Sequence, residues 1–206
     1  ALELLQKYEV DINILTCVSD ANVHYPLDVY RYFRDSLGIQ HMQFIPIVER
    51  ENLSGNQHGD KLTDRSISGK EYGEFLIAIF DEWISRDVGR VFVQIFEVCL
   101  GVWLGYPSSL CIFNETCGTC MALEHTGDLY ACDHYVQPDF FLGNISTLDI
   151  NDMATSERQK KFGQNKKALL PQKCLHCDVL FICNGGCPKN RIIPPKGETS
   201  PINHLC

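Results

Sequence analysis

The N-terminal part of the chain alternates between stretches with the hydrophobic period of a helix and stretches with that of a strand. Residues 2–8 have the spacing of a short amphipathic helix, and a second helix is predicted over residues 26–38, from Pro26 to Gly38. Residues 10–18 and 41–48 are rich in apolar and β-branched residues and predict two strands. This order of helices and strands is typical of a parallel sheet or a barrel.

Two strands cannot close a barrel or bury both faces of a sheet. The chain also begins at Ala1, without an initiator Met and inside a helical pattern. We therefore expect residues 1–67 to be the C-terminal part of a barrel in a longer protein. Within it, residues 49–67 are polar and rich in Gly, Asn and Asp, which predicts a loop. This loop is either a plain connection or a substrate-holding segment at the end of a strand.

A region with both helical and strand-like patterns follows at residues 68–107. Ser68, with Glu71 three residues later, has the pattern of a capping box and predicts the start of a helix. Residues 91–98 predict a strand, and residues 99–107 predict a short helix or turn. We interpret the whole region as a link between the barrel part and the rest of the chain.

From Ser108 onward the pattern changes to short apolar stretches separated by cysteines and turn residues. Thr126-Gly127 lies between two strand-like stretches and predicts a β-hairpin. Two short amphipathic helices are predicted between residues 147 and 162. The tail, residues 191–206, is rich in proline and is predicted to be irregular, so its order depends on the terminal Cys206 being tied down.

The composition restricts the classes of protein to which the chain can belong. Of its 206 residues, 45% are hydrophobic and 21% are charged, which is typical of a globular protein. The formal net charge of −8 argues against nucleic-acid binding, because phosphate recognition requires basic surfaces. No apolar run reaches the length of a membrane span. We therefore predict neither nucleic acid nor membrane as a partner.

Eleven cysteines change this picture, and ten of them lie after residue 98. Their odd number, their close spacing and the lack of a recognisable signal peptide argue against a secreted disulfide framework. Cysteines two or three residues apart bind one metal well but pair poorly with distant cysteines. We therefore predict metal or cluster ligation for most of them. Cys17 and Cys99 lie within apolar runs and are assigned to the core.

The densest group is the stretch CLHCDVLFICNGGC at residues 174–187, which Pro188 follows. Its spacing resembles the ligand loops of ferredoxin-type clusters, in which the cysteine before a proline serves another cluster. By that comparison Cys187 crosses over to complete the first site, which is formed by cysteines earlier in the chain, and Cys206 takes the place that Cys187 leaves. With Cys120 left aside, eight cysteines form two groups of four, which predicts zinc or iron–sulfur clusters. Zinc ribbons favour two similar CxxC knuckles, which this chain lacks, so clusters are preferred.

The order Gly127-x4-Cys132, then C-x2-C-x5-C-x3-C, then Cys206 resembles the SPASM domain, the twin-cluster module of radical S-adenosylmethionine (SAM) enzymes. A closer resemblance, to the anaerobic sulfatase-maturating enzymes, is carried by CIFNETCGTCMALEHTGDLYACDHYV, FLGNI and QFIPIVE. The resemblance implies an α/β part followed by an α+β part. Residues 1–67 would be the end of a (β/α)6 radical SAM barrel. Residues 108–206 would be an irregular SPASM domain with a β-hairpin and two auxiliary 4Fe-4S clusters.

The same resemblance implies roles for individual residues. The ligands of the first auxiliary cluster would be Cys111, Cys117, Cys132 and Cys187. The ligands of the second would be Cys174, Cys177, Cys183 and Cys206. Enzymes of this family oxidise a Cys or Ser of a sulfatase peptide to Cα-formylglycine, beginning with hydrogen abstraction by a 5′-deoxyadenosyl radical. The residue that matches their general base is Asp133.

The radical SAM ligand motif CxxxCxxC is absent from this sequence. We therefore expect a preceding part of the protein to bind SAM and a third 4Fe-4S cluster, and the chain alone to be inactive. The expected partners are an unfolded sulfatase peptide or another protein substrate, and an electron donor or acceptor protein. Reduced thiolates and clusters predict a cytoplasmic location. Two alternatives stay open: a SPASM enzyme with another peptide substrate, and a non-enzymatic zinc-binding interaction module.

Overall fold

The computed structural model describes residues 1–52, 59, 61–194 and 200–206. The chain divides into two compact units. The first unit comprises Ala1–Glu49, Leu62–Leu104 and Leu205. The second comprises Arg50–Lys61, Gly105–His204 and Cys206. Within the described ranges, no helix combines the length and the apolar character needed to cross a membrane.

The first unit contains a three-stranded parallel sheet and four helices among its described residues. The strands, in sheet order, are β1 (Asn13–Val18), β2 (His41–Pro46) and β3 (Phe92–Val93). The helices are α1 (Leu2–Lys7), α2 (Pro26–Arg31), α3 (Gly69–Arg86) and α4 (Gln94–Trp103). A π-helical turn (Tyr32–Ser36) continues α2. The parallel pairing of β1 with β2 and of β2 with β3 confirms the predicted parallel sheet, and its closure into a barrel stays a prediction.

Helix α3 begins where the sequence predicts it, because Ser68 and Glu71 form a capping box. The Glu71 N–H donates to Ser68 Oγ at 3.2 Å, and the Ser68 N–H donates to Glu71 Oε2 at 2.8 Å. Such a cap stabilises a helix by about 1 kcal/mol. The buried face of α3 consists of Phe75, Ile79 and Trp83. The Trp83 indole N–H donates to the Val91 carbonyl at 2.7 Å, so the buried ring leaves no polar atom unpaired.

The predicted strand at residues 91–98 is wrong beyond its first part. Only β3 is extended, and α4 follows it directly. A short apolar run cannot by itself distinguish a strand from a buried helix. The helical conformation places the Phe96 ring against Phe80 and Trp83 of α3, at centroid distances of 5.2 and 5.3 Å. This packing decides the conformation of the segment.

Cys17 is exposed, contrary to the prediction that it lies in the core. Side chains alternate between the two faces of a strand, and Val18 faces the buried side of β1 in its place. Leu15, two residues before Cys17 and on the same face, is 61% exposed. Cys99 in α4 is half-buried. The apolar character of β1 therefore extends to a face that the described residues leave uncovered.

Ion pairs join α2 and its π-helical turn to the end of α3. Arg34 Nη1 lies 2.7 Å from Glu82 Oε1 and 2.7 Å from Asp87 Oδ2. Arg31 also donates to Glu82, and the Tyr30 hydroxyl donates to Asp87 at 2.8 Å. Burial is the main cause that raises the pKa of Tyr30, and the hydrogen bond to Asp87 adds to it. Both carboxylates are nearly buried, so these partners compensate for their loss of water.

The second unit is α+β and irregular. Strands β4 (Ala122–Leu123), β5 (Asp128–Tyr130) and β6 (Phe141–Asn144) form one antiparallel sheet, and β7 (Arg191–Ile193) pairs with β8 (Ile202–Asn203) in another. The helices are α5 (Ile150–Ala154), α6 (Glu157–Ala168), α7 (Gln172–Leu175) and α8 (Leu180–Cys183). Short 3-10 helices lie at Cys111–Phe113, Asp133–Tyr135, Pro138–Phe140 and Pro188–Asn190.

The predicted hairpin is confirmed, since β4 and β5 pair antiparallel on either side of Thr126-Gly127. Gly127 has a φ of 86°, a conformation that glycine adopts without steric cost. The tail at residues 191–206 is more regular than predicted, because β7 and β8 lie in it. Residues 195–199 of this tail lie outside the described residues. Residues 53–58 and 60 of the predicted loop do so as well.

Candidate functional site

Helix α6 holds the backbone of the loop that carries Cys111 and Cys117. The Cys111 carbonyl oxygen accepts a hydrogen bond from the Lys166 ammonium at 2.9 Å. The Cys117 N–H donates to the Gly163 carbonyl at 3.1 Å. A Cβ on Gly163 would collide with the Cys117 carbonyl oxygen, so glycine at this position permits the close approach. The positions of both cysteines therefore depend on one face of α6.

Gln159 is a further contact between α6 and the cysteine-bearing segments. Its side-chain Nε2 donates to the Gly118 carbonyl at 2.9 Å and to the Ala131 carbonyl at 3.0 Å. Gly118 directly follows Cys117, and Ala131 directly precedes Cys132. One buried amide thus joins the Cys117 loop to the segment that carries Cys132.

The thiols of Cys111, Cys117 and Cys187 lie within electrostatic reach of one another. Burial raises the pKa of Cys117 to about 11, and the negative charges of Cys187 and Cys111 add to the shift. Burial is also the main cause of the raised pKa of Cys111, with contributions from Cys120 and Cys187. The structure therefore brings three predicted ligands of the first site together, with Cys120 beside them.

Cys132 and the predicted base Asp133 are in contact directly after β5. The Cys132 thiol donates to Asp133 Oδ1 at 3.2 Å. Burial raises the pKa of Cys132 to about 12, and the negative charges of Asp133 and Cys187 contribute. Asp133 is itself exposed, at the start of a short 3-10 helix. The carboxylate is thus accessible from outside while it contacts a predicted cluster ligand.

The second group of cysteines lies on α7, on α8, on the turn between them and at the end of the tail. Within it, the Cys177 N–H donates to the Cys174 carbonyl at 3.1 Å. Burial is the main cause that raises the pKa of Cys174, and Cys206 and then Cys183 contribute through their negative charge. The Cys206 N–H donates to the Asn203 carbonyl of β8 at 3.0 Å. Cys206 therefore lies within electrostatic reach of Cys174, as do Cys183 and Cys177.

The chain reverses direction between Cys183, the last residue of α8, and Cys187. The three residues of Asn184–Gly186 have left-handed φ angles of 47°, 73° and 61°. Glycine adopts this conformation freely, and Asn is among the other residues that tolerate it. A Cβ on Gly186 would also collide with the Asn203 amide, which donates to the Cys187 carbonyl at 3.3 Å. The reversal separates Cys187 from the helix that carries Cys183.

Two cations among the described residues of this unit are buried, and the sequence pattern did not predict either. Lys166 is 1% exposed and Arg191 is 8% exposed. Lys166 donates to the carbonyls of Cys111 and Ile112, each at 2.9 Å. A signal for Lys166 does exist, because Gln159, Gly163 and Lys166 have the spacing of one helix face. This spacing is hard to recognise, because most residues between them are polar and the whole run has the pattern of an exposed helix.

The donor set fits iron–sulfur clusters. All eleven cysteines are free thiols, and thiolates are the ligands that such clusters take. Buried cations lie beside the thiols, as expected next to anionic centres. Among the residues that the structure describes, no group of three or more His, Cys, Asp or Glu could hold a single metal ion. The roles of individual cysteines as ligands stay predictions.

Known proteins match the chain in sequence. Residues 111–178 match the SPASM family, described as an iron-sulfur cluster-binding domain. The serine-type anaerobic sulfatase-maturating enzyme of Bacteroides thetaiotaomicron is 41% identical over 214 residues, which cover 100% of this chain and 51% of that protein. The cysteine-type enzyme of Clostridium perfringens is 28% identical over 100% of this chain and 54% of its own length. The chain thus spans about half the length of the curated relatives it matches.

Solved structures match the chain in fold. "Native anSMEcpe with bound AdoMet and Cp18Cys peptide" is similar with a TM-score of 0.85 and 27% identity, over 99% of this chain and 55% of that one. "Native anSMEcpe with bound AdoMet" is similar with a TM-score of 0.81 and 28% identity, over 98% and 53%. The predicted resemblance to the SPASM-domain radical SAM family is therefore confirmed: residues 111–178 match the SPASM iron–sulfur cluster-binding domain, and the whole chain is similar to anaerobic sulfatase-maturating enzymes.

Proposed function

We propose that this chain is the auxiliary-cluster part of a radical SAM oxidoreductase that converts a Cys or Ser of a sulfatase peptide to Cα-formylglycine. The observation that carries the proposal is the arrangement of the thiols: Cys111, Cys117 and Cys187 act on one another, and Cys132 contacts the exposed Asp133. A second group interacts around Cys174. The names of the relatives and the peptide bound in a similar structure support it. Because the chain spans about half of those proteins, the activity is proposed for the longer protein that contains it.

In this proposal each group of cysteines holds one 4Fe-4S cluster. The first group is Cys111, Cys117, Cys132 and Cys187. The second group is Cys174, Cys177, Cys183 and Cys206. When bound, the clusters would supply one-electron redox centres. The chain's own contribution is to position the thiols, through α6 for the first group and through the reversal at Asn184–Gly186 for Cys187.

Asp133 is the proposed general base, which would take a proton from the substrate side chain during its oxidation. A base must come within hydrogen-bond reach of the proton that it removes, and the exposure of Asp133 permits this. In the metal-free thiol form Cys132 donates to Asp133 Oδ1. As a cluster ligand its thiolate would carry no proton, so the position next to Cys132 in the chain, rather than this bond, would keep Asp133 beside the cluster. The other carboxylate oxygen receives no bond in that contact and can face a substrate.

The remaining parts of the proposed reaction lie outside the chain. SAM and a third 4Fe-4S cluster would be bound by residues that precede it in the longer protein. An electron donor or acceptor protein is the proposed redox partner, and a sulfatase peptide or another protein is the proposed substrate. Since clusters and thiols must stay reduced, we also propose a cytoplasmic location.

Anaerobic reconstitution of the 206-residue chain with iron and sulfide tests the cluster part of the proposal. We expect about eight iron atoms and about eight sulfides per chain, because two cubane clusters contain four of each. The loaded protein should absorb visible light. Two bound zinc ions without visible absorption would contradict the proposal and support the zinc-binding module.

A peptide assay of the longer protein tests the proposed reaction. With SAM and a reductant, we expect an aldehyde on peptides that contain Cys or Ser followed by x-Pro-x-Arg, detected by mass spectrometry. A matched peptide with Ala in place of the Cys or Ser is the control. An enzyme that binds its clusters and cleaves SAM but leaves these peptides unchanged would instead be a SPASM enzyme with another substrate.

A further inference from the structure

Arg191, the first residue of β7, is a buried cation that no described carboxylate neutralises. Its guanidinium donates to the carbonyls of Lys166 at 2.8 Å, Gly185 at 3.2 Å and Asn184 at 3.3 Å. A Cβ on Gly185 would lie 2.7 Å from Arg191 Nη2, so the glycine leaves room for the guanidinium. Among the described residues, no carboxylate forms an ion pair with Arg191. Among the described residues, the guanidinium therefore donates to peptide carbonyls and pairs with no carboxylate.

Cysteines of both groups act on Arg191. Burial lowers the pKa of Arg191, and the negative charge of nearby thiols opposes the shift. Those thiols are Cys174, Cys117, Cys187 and Cys183. Cys117 and Cys187 belong to the first group, and Cys174 and Cys183 belong to the second. Arg191 thus lies within electrostatic reach of both candidate cluster sites.

A guanidinium in this position requires negative charge nearby. Arginine stays protonated in proteins, so it cannot escape the cost of burial by losing its proton. Burying a charge among dipoles alone is unfavourable, whereas anions at short range in a low dielectric offset the cost. Four thiolates around a 4Fe-4S core give each site a net negative charge. Two such sites would supply the missing counter-charge to Arg191.

We propose that Arg191 is a positioning residue shared by the two auxiliary clusters, whose fixed positive charge raises the reduction potential of both. This inference rests on the proposed function, since it requires that both sites hold clusters. A positive charge favours the reduced, more negative form of each cluster. The hydrogen bond of Arg191 to the Lys166 carbonyl also joins it to the helix that holds the first group.

Lys166 provides an internal comparison, because it is also a buried cation but serves one group. The thiols that act on it are Cys117, Cys187 and Cys111, all of the first group. In the part of the chain that the structure describes, its ammonium donates to two carbonyls next to the first group, those of Cys111 and Ile112. Removing the charge of Lys166 should therefore affect one cluster, whereas removing that of Arg191 should affect two.

The test uses the anaerobically reconstituted 206-residue chain and its variants Arg191→Gln, Arg191→Lys and Lys166→Gln. Arg158→Gln is the matched control, since Arg158 is exposed and donates to one carbonyl, that of Asp139. The readouts are iron and sulfide content and a redox titration monitored by electron paramagnetic resonance. We expect Arg191→Gln to move two midpoint potentials to more negative values and Lys166→Gln to move one. Arg191→Lys and Arg158→Gln should leave both close to those of the unchanged chain.

The possible outcomes separate this inference from the proposed function. An unchanged chain that binds no iron contradicts the proposed function itself. A chain that binds two clusters whose potentials do not respond to Arg191→Gln overturns the role of Arg191. A shift of one potential by Arg191→Gln overturns its sharing. If Arg191→Gln fails to load iron, Arg191→Lys decides: full iron content supports the role of the charge, and equal loss overturns it.

Discussion

Cys132 and Asp133 are adjacent in the chain but differ in their environment. Burial and neighbouring negative charges raise the pKa of the Cys132 thiol, while the Asp133 carboxylate is exposed. A thiol in such a place loses its proton only at a high cost in free energy, unless a metal centre replaces the proton. An exposed carboxylate, in contrast, can meet a substrate. The two residues are therefore suited to different tasks, ligation and proton transfer.

The role of Asp133 can be tested in the longer enzyme with Asp133→Asn. We expect formylglycine formation to fall by about 10²–10⁴-fold, because the amide cannot accept the proton, while SAM cleavage continues. Product is measured by mass spectrometry and SAM cleavage by chromatography of 5′-deoxyadenosine. Asp139→Asn is the control, since Asp139 is a nearby exposed carboxylate outside the proposed site. Normal product formation by Asp133→Asn would reject the base assignment.

The division of the cysteines can be tested by comparing Cys132→Ser with Cys120→Ser in the reconstituted chain. We expect Cys132→Ser to lose about four of about eight irons, because a cubane cluster takes four protein thiolates. Cys120→Ser should keep all of them, although Cys120 lies beside Cys111. Iron loss from Cys120→Ser and none from Cys132→Ser would show that Cys120, and not Cys132, is the cluster ligand.

At the scale of elements, two helical glycines have opposite surroundings. Gly163 of α6 approaches the Cys117 backbone so closely that a Cβ would collide with it. Gly73 of α3 has no atom within 4 Å of the position that a Cβ would occupy. The first glycine is required by packing, whereas the second only adds flexibility to the unfolded chain.

This contrast predicts effects of opposite sign on the free energy of unfolding. Gly73→Ala should increase it by about 0.5–1 kcal/mol, because Ala loses less conformational entropy in a helix. Gly163→Ala should decrease it by about 1–3 kcal/mol, because a backbone must move to admit the methyl group. Chemical denaturation followed by circular dichroism measures both. A stabilising Gly163→Ala would show that α6 does not hold the Cys117 loop as described.

At the scale of the whole molecule, the acidic net charge of −8 makes the response to pH informative. Hydrogen bonds from Arg31 and then from Arg34 hold the pKa of Glu82 below its ordinary value of 4.5. A carboxyl whose pKa is lowered by folding stabilises the folded state above its unfolded pKa. That contribution is lost as the pH falls through the lower, folded pKa.

We therefore expect Glu82→Gln to lower the free energy of unfolding at neutral pH by about 1.5–3 kcal/mol, the range for hydrogen bonds to charged groups. The deficit should shrink as the pH falls below the ordinary carboxyl pKa, since the unchanged protein then loses the same interaction. Denaturation curves across this pH range measure the difference. Glu74→Gln is the control, because Glu74 is exposed and 3.8 Å from Lys70, and it should change little. A deficit in the free energy of unfolding that does not depend on pH would show that the ionised carboxylate of Glu82 is not the source of the stabilisation.

Local signals in the sequence predict much of the fold. The capping box at Ser68, the turn at Gly127 and the strands β1 and β2 depend on neighbouring residues, so short patterns reveal them. The helix α4 depends on the contact of Phe96 with α3, which lies earlier in the sequence. A short run rich in β-branched residues gives no sign of such a contact and therefore predicts a strand. For the same reason the sequence does not tell which face of β1 is covered, and the assignment of Cys17 to the core failed.

The candidate site, like the fold, is only partly predictable from the sequence. The order and spacing of the cysteines are sequence properties, and they lead to the family that the comparisons confirm. The buried cations Lys166 and Arg191 could not be predicted, because Lys and Arg are exposed in most proteins. Only tertiary structure shows that the thiols lie around them.

The left-handed run Asn184–Gly186 has a consequence for how metal would enter the protein. In a continuous helix, residues four apart lie on one face, so Cys183 and Cys187 would point to the same site. The run instead sends them to different sites in the proposed grouping, while only three residues separate them. Filling one site therefore orders the backbone of the other, and loading should be cooperative. With limiting iron and sulfide, native mass spectrometry should find chains with two clusters and chains with none, and few with one.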